Sequence, residues 1–443
     1  MQIPFPSSFE KRVREDSFLG EKLLTALNTE APTTIRKNPF KPTTAFQNEE
    51  SIAWCENAFR LTERPSFTMD PLFHAGTYYP QEAGSMVLDS VLKSLDLPEN
   101  PFVLDLCAAP GGKSTLIASF LQNEGLLVAN EVITARARIL HENLTKWGVD
   151  NVVVTNNDPK DFDRLPHFFD VMLVDAPCSG EGMFRKTPHA REEWSEDNVN
   201  LCCARQKRIV HDVWETLKPG GFLIYSTCTF NADENENNVQ WMLDTLDIEK
   251  VVEMPILGLQ RDREKLGYYC FPHTVNTEGY YFAVLQKAFD SVQKTKLISS
   301  KDFTKSKEKL GLENWLDLSG KEVYTWREKF FVLPEKFADP MVHLQQQLRI
   351  VKIGCEVGEN ARKGLIPTPD LALHAQLKSS VQKIELTREQ ALLYLKNETF
   401  PLPGPQGLTI VTFESIPLGF IKNLGNRFNN LWNKDWRIRN QIS

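Results

Sequence analysis

Residues 101–123 read PFVLDLCAAPGGKSTLIASFLQN: a short apolar run, a turn of small residues, then a segment with helical apolar spacing. A run this short, bounded by turn signals, suits a strand buried on both faces, as in a parallel sheet between helices. The same unit repeats downstream. LLVAN (126–130) precedes ARARILHENLTKWG (135–148), and NVVVTN (151–156) precedes VMLVDAP (171–177). CCARQKRIVHDVWETL (202–217) then leads into GFLIYSTC (221–228), and YYFAVLQK (280–287) reads as a last strand joined at the sheet edge. The alternation predicts an α/β domain with a parallel sheet and helices on both faces.

In such a sheet, ligands collect beyond the carboxyl ends of the strands. The turn Cys107, Ala108, Ala109, Pro110, Gly111, Gly112 and Lys113 follows the first strand and feeds a helix, so backbone can approach a ligand closely and offer N–H groups to an anion. Its end, GGKS, resembles a nucleotide-triphosphate loop, but that loop needs a glycine five residues before Gly112, where Cys107 stands. Glu131 ends the next strand, where a carboxylate can accept ribose hydroxyls, and Asp158 follows the third in NNDP. Singly, each acid also reads as a helix N-cap or loop residue. Together at successive strand ends they favour an adenosine-containing cofactor.

The chain has 443 residues, 41% of them hydrophobic, which predicts two or three domains. Its eight cysteines form no short paired framework and no secretory leader opens the chain, so reduced thiols and a cytoplasmic location are expected. Cys178 and Cys228 follow strands that end at the cofactor edge, where a thiolate could attack an electrophilic carbon. Cys202 and Cys203 read as helix core, and no spacing suggests a zinc site. Net charge is -7, so any nucleic-acid surface must be local. Near the C-terminus Lys422, Arg427 and Arg437 interleave with Phe428, Trp432 and Trp436, a mixture that suits phosphates and stacked bases or, equally, a solvated charged face. Arg36, Lys37 and Lys41 form a second small group of cations, readable as an RNA contact or as ordinary surface charge.

The strings DLCAAPGGKS, ANE, DAPCSGEGMFRK and STCTFNADENE resemble the RNA cytosine-C5 methyltransferases of the Sun and nucleolar-protein family. The likeness extends upstream through DPLFHAGTYYPQEAGSM and downstream through FPHTVNTEGYYFAVLQK. GENARKGLIP and LGFIKNLGNRFNNLWNKDWRIR resemble the end of bacterial small-subunit ribosomal RNA members of that family. The resemblance implies a Rossmann-like, S-adenosylmethionine-dependent methyltransferase core at 86–290. Around it would lie an N-terminal helical, RNA-binding subdomain at 1–85, a linker at 291–315, a small mixed α+β domain at 316–390 and a PUA-like module at 391–443.

By the same resemblance Cys228 is the nucleophile toward carbon 6 of cytosine, and Cys178 assists product release. Asp175 would touch the base or the cofactor, Lys113 would stabilise developing charge, and residues 107–113, Glu131 and Asp158 would hold S-adenosylmethionine. The implied partner is RNA, most readily 16S ribosomal RNA, handled by a monomer without metal or membrane. Two alternatives remain, a non-catalytic RNA-binding assembly factor and an enzyme acting on transfer RNA; a DNA cytosine methyltransferase, which would use the Pro-Cys cysteine as nucleophile, lacks support because the Thr-Cys motif and RNA-type flanks are present.

Overall fold

A computed structural model describes residues 3–256, 258–291, 296–308, 310–361 and 364–439. Its centre is the predicted alternation of strands and helices. Strand β1 (Phe102–Asp105) leads to helix α1 (Gly112–Leu121), β2 (Leu126–Asn130) to α2 (Thr134–Trp147), and β3 (Val152–Thr155) to β4 (Phe169–Asp175). Helix α3 (Glu196–Val213) precedes β5 (Leu217–Thr227), α4 (Glu236–Thr245) follows it, and β6 (Tyr280–Lys287) returns antiparallel to β5. The order is β6-β5-β4-β1-β2-β3, with β1 through β5 parallel. The chain crosses over β1 between β3 and β4, so the switch point opens above the ends of β1 and β4.

Successive strand residues face opposite layers, as the two-residue period requires. Leu104, Val128, Val153, Met172 and Leu223 pack on one side with Ile209 and Val210 of α3. Val103, Leu127, Val154, Leu173 and Ile224 pack on the other with Leu116, Ile117 and Leu140 of α1 and α2. Ser195 caps α3 by accepting from the Asn198 N–H at 3.1 Å. Gly148 ends α2 at φ 86°, and a Cβ there would lie 2.4 Å from the Leu373 carbonyl, so this glycine both stops the helix and admits the C-terminal region.

Several segments depart from expectation. The N-terminal region opens with the helices Ser7–Glu15 and Gly20–Leu27 and adds the short helix Pro71–His74, but much of it is a four-stranded antiparallel sheet in the order 50–51, 58–61, 33–37, 78–80. Strand β6 is not the edge: 268–270 and 260–261 pair beyond it, and 248–251 also pairs with it. On the opposite edge, β7 (Ile350–Ile353) adds antiparallel to β3, so part of the stretch expected as an independent mixed domain belongs to the catalytic sheet.

The five-stranded sheet 304–305, 321–326, 329–334, 355–361, 364–367 includes residues from the expected linker, and Phe303 is 1% exposed within the main core. Of that linker, 292–295 and 309 lie outside the described residues, as do Arg362 and Lys363 of GENARKGLIP. The last sheet starts at Lys383–Glu385, parallel to Gly407–Phe413, and residue 391 falls inside the helix Arg388–Leu395. Among the described residues no helix is long and apolar enough to cross a membrane, and no group of three or more His, Cys, Asp or Glu could hold a metal ion.

Asp150, just after α2, joins three parts of the chain. It is 2% exposed, pairs with Lys321 of the five-stranded sheet, and accepts from His374 Nε2 at 3.2 Å. Burial alone would raise its pKa, but the His374 and Lys321 contacts hold it well below the usual carboxylate range. A depressed carboxylate contributes stability that is present above its unfolded value, about 3.9, and lost as pH falls through that window. Asp150→Ala leaves Lys321 without its ion-pair partner and His374 Nε2 without its acceptor, and should cost about 3–5 kcal/mol. Melting temperatures recorded across acid pH should show the largest deficit near neutrality and convergence with wild type as pH falls.

Candidate active site

The cofactor turn is fastened from below. The α1 residue Thr115 donates its N–H to the Gly111 carbonyl at 2.8 Å, Arg136 Nη2 of α2 donates to the Ala109 carbonyl at 2.7 Å, and Asn143 Nδ2 donates to the Pro110 carbonyl at 2.8 Å. Gly111 takes φ 118°, a left-handed value that suits glycine. Cys107, at the start of the turn, opens onto a cavity of about 350 Å³ also lined by Glu131, Val132, Ile133, Asp158 and Arg205, while Ala108, Ala109, Pro110, Gly112 and Lys113 face an adjoining one. Val132 and Ile133, 54% and 51% exposed, supply an apolar lip suited to a purine face.

Glu131 is 3% exposed; its Oε1 accepts from the Ile133 N–H at 2.9 Å and its Oε2 faces Arg136 Nη1 at 3.3 Å. That leaves acceptor capacity for hydroxyls. Asp158 lines the same cavity while capping the short helix Pro159–Arg164, so both of its sequence readings are realised. Asp105 adds a third acid: it is fully buried, accepts from Ser114 Oγ at 2.6 Å, and its Oδ1 has no protein partner. Burial pushes its pKa up to about 7. Small turn residues, an apolar lip and carboxylates at the ends of β1 and β2 fit an adenosine-bearing amino acid such as S-adenosylmethionine.

A second cavity, of about 190 Å³, meets the first at Cys107 and is lined by Tyr79, Gln81, Glu82, Lys113 and Asp175. Lys113 Nζ donates to Asp175 Oδ2 at 2.7 Å, and Ser226 Oγ donates to Asp175 Oδ1 at 2.8 Å. Burial opposes the lysine charge, yet the Asp175 carboxylate and the neighbouring Tyr280 hold the Lys113 pKa above its ordinary value. Tyr280 lies 5.2 Å from Lys113 Nζ. Beside this pair, the loops after β4 and β5 bring Cys178 Sγ and Cys228 Sγ to 3.1 Å; both are free thiols. The Cys228 contact, followed by burial, raises the Cys178 pKa well above the ordinary thiol value.

Residues 92–286 match the family described as 16S rRNA methyltransferase RsmB/F. Residues 5–83 match the N-terminal domain of 16S rRNA methyltransferase RsmF, and residues 381–438 match the methyltransferase RsmF PUA domain. A ribosomal RNA small subunit methyltransferase F from Klebsiella pneumoniae is 34% identical over 87% of this chain and 84% of its own length. The protein of the same name from Escherichia coli is 30% identical over 98% of this chain and 96% of its own.

The chain belongs to the ribosomal RNA small-subunit methyltransferase F family.

Among solved structures, a methyltransferase homolog protein from Pyrococcus horikoshii is 30% identical with TM-score 0.56, covering 64% of this chain and 96% of that one. NSun6 from the same organism, solved with SFG, shares the fold at 21% identity and TM-score 0.57, over 65% and 100% of the two chains. As a member of this family the protein is an S-adenosylmethionine-dependent methyltransferase, and the cavity residues above are consistent with that cofactor.

The structure brings residues 107–113, Glu131, Asp158, Asp175, Cys178 and Cys228 to one edge of the sheet. It corrects the N-terminal RNA group. Arg36 is 2% exposed and Lys41 7%, because the carbonyls and hydroxyls of neighbouring segments satisfy them; Lys41 Nζ donates to the Ala75 and Lys146 carbonyls at 2.9 and 2.6 Å. Lys37 is half-buried, with its Nζ 4.9 Å from the Phe59 ring centroid. Lys422, Arg427 and Arg437 are exposed, but Phe428 and Trp432 are 4% and 3% exposed, so they pack the last sheet and are closed to stacking bases.

Sequence reading left three acids without a role: Asp105, Glu82 and Glu234. All lie inside family-like strings; Asp105 and Glu234 are fully buried, and Glu82 is half-buried where it lines the cavity beside Lys113. Glu234 is fully buried, accepts from the Ser179 N–H and Gln206 Nε2 at 2.9 Å each, and also from Ser179 Oγ. Ser179 Oγ lies 3.0 Å from Thr229 Oγ1, so this one carboxyl ties the Cys178 loop to the Cys228 loop. Burial pushes its pKa up to about 7. Because the folded value exceeds the unfolded one of about 4.3, the native state holds a proton the unfolded chain releases, and stability falls as pH rises through that window. Glu234→Gln removes this fall, so its melting temperature should gain on wild type between about pH 5 and pH 8.

Proposed function

We propose that the chain methylates carbon 5 of a cytosine in small-subunit ribosomal RNA through a covalent bond from Cys228 to carbon 6. The observation that carries this is the 3.1 Å approach of Cys178 and Cys228 beside the Lys113–Asp175 pair, at the edge where the cofactor cavity opens. Carbon 5 of cytosine is a weak nucleophile. Addition of the Cys228 thiolate across the carbon 5–carbon 6 double bond gives it enamine character, and S-adenosylmethionine supplies the electrophilic methyl group. Loss of the carbon 5 proton with cleavage of the sulfur–carbon 6 bond restores the ring and the thiolate.

The thiol pair supports unequal roles. The Cys228 contact and burial raise the Cys178 pKa, so Cys178 is read as the thiol that assists release, and Cys228, 3.1 Å away, as the attacking sulfur. Lys113, fixed by Asp175, places positive charge where the pyrimidine accumulates negative charge. A paired cytosine hides carbon 6, so the base must be extruded or already unpaired, at a cost of about a few kcal/mol. The exposed cations Lys422, Arg427 and Arg437 are read as phosphate contacts that grip the surrounding RNA. We read the protein as a cytoplasmic enzyme acting as a monomer.

Labelled S-adenosylmethionine and small-subunit ribosomal RNA, with 5-methylcytosine mapped in the product, test the reading. Wild type should label a defined cytosine, Cys228→Ala should transfer no methyl group, and Cys178→Ala should accumulate a denaturant-resistant protein–RNA adduct. Full activity of Cys228→Ala sinks the covalent scheme. Labelling of transfer RNA alone moves the substrate, and no labelling by wild type supports an assembly factor.

A further inference from the structure

Arg36 stands out among the groups the mechanism leaves unused. It comes from the N-terminal sheet, yet its guanidinium enters the layer between α1 and α2. Nη2 donates to the Gly112 carbonyl at 3.1 Å and to Thr115 Oγ1 at 2.6 Å, and Nη1 donates to Ser119 Oγ at 3.3 Å. Nε donates to Gln81 Oε1 at 3.1 Å, and the guanidinium carbon lies 4.7 Å from the Trp147 ring centroid on α2. Trp147 Nε1 in turn donates to Ser119 Oγ at 3.2 Å, closing a circuit from β-sheet to α1 to α2 and back. Among the described residues no carboxylate forms an ion pair with Arg36; its acceptors are neutral.

A buried guanidinium with neutral acceptors is an expensive way to fill space, and a planar five-donor fork is the one side chain that can reach all these groups at once. What it touches is specific. Gly112 and Thr115 form the first turn of α1, Thr115 also donates its hydroxyl to the Gly111 carbonyl at 2.8 Å, and Gln81 lines the cavity beside Lys113. A Cβ on Gly112 would stand 3.3 Å from Tyr79 Cε1, so the N-terminal segment presses directly on the cofactor turn.

We propose that Arg36 is a positioning residue for the cofactor: it locks the first turn of α1 against α2 and against Gln81, so the N-terminal domain sets the shape of the S-adenosylmethionine site. This rests on the cofactor reading given above, and it assigns Arg36 to the cofactor where a cation in an RNA-binding domain would otherwise be assigned to RNA.

Calorimetric titration with S-adenosylhomocysteine, paired with an RNA-binding titration and a ligand-free melting curve, tests it. Arg36→Met should raise the Kd for S-adenosylhomocysteine about tenfold or more, as loss of several charged hydrogen bonds implies, and leave the RNA Kd within about twofold of wild type. Arg36→Lys keeps the charge without the fork and should lie between. If Arg36→Met fails to fold, Thr115→Val, which removes one acceptor and the tie to Gly111, should show the same one-sided loss. Unchanged cofactor affinity in the folded variants, or weakened RNA binding alone, overturns the proposal. Failure of wild type to bind S-adenosylhomocysteine would instead overturn the cofactor reading itself.

Discussion

The catalytic edge depends on one register: β4 and β5 run parallel with Asp175 opposite Ser226. That pairing sets the Ser226 hydroxyl against the Asp175 carboxylate, which turns its other oxygen to Lys113. It also starts both following loops at the same level, so Cys178 and Cys228 arrive at contact distance. A slip of one residue would send alternate side chains of β5 to the opposite layer and separate these groups together. The strand core resists such a slip, since Leu223, Ile224 and Tyr225 are at most 1% exposed and divide between two packed faces.

The loops after the two strands are then pinned by buried carboxylates. Glu181 is fully buried, with Arg12 Nη2 at 2.5 Å, the Phe230 N–H at 3.1 Å and Trp194 Nε1 at 3.2 Å as its donors. Burying a carboxylate is costly unless its lone pairs are used, and here the donors come from three distant segments. Gly182 follows, where a Cβ would lie 2.8 Å from the Cys228 carbonyl, so the two loops can close only over a residue without a side chain. The N-terminal helix that supplies Arg12 is thereby part of the catalytic scaffold, with Phe9 and Val13 in the same core as β4 and β5.

Much of this was legible in sequence, and the reason is local. Parallel strands buried on both faces read as uninterrupted apolar runs, and the loops after them are where an open sheet places chemistry. The illegible parts share long sequence separations. Strand β7 joins β3 from far along the chain, and nothing in IVKI says which sheet it will complete. Arg36 looked like surface charge because its acceptors Gly112, Thr115 and Ser119 lie far along the chain. The C-terminal mixture of cations and aromatics has one composition but two outcomes: Lys422 and Arg427 remain outside, whereas Phe428 and Trp432 fill the core of the last sheet. Composition cannot separate a stacking ring from a packing one; neighbours do.

The buried carboxyls divide in a way that matches their places. Asp150 has the Lys321 cation and His374 Nε2 for partners, and its pKa is driven down; Asp105 and Glu234 are bonded by neutral donors, and burial carries theirs up toward neutrality. Equal burial therefore has opposite consequences, decided by the charge of the partner. At the seam between regions, the paired form is a fixed charge that locks α2 to the C-terminal sheets over ordinary pH. At the catalytic edge, the unpaired form leaves protonatable groups beside the cofactor turn and beneath the cysteine loops. The same side-chain chemistry is thus a rivet in one place and an adjustable group in the other.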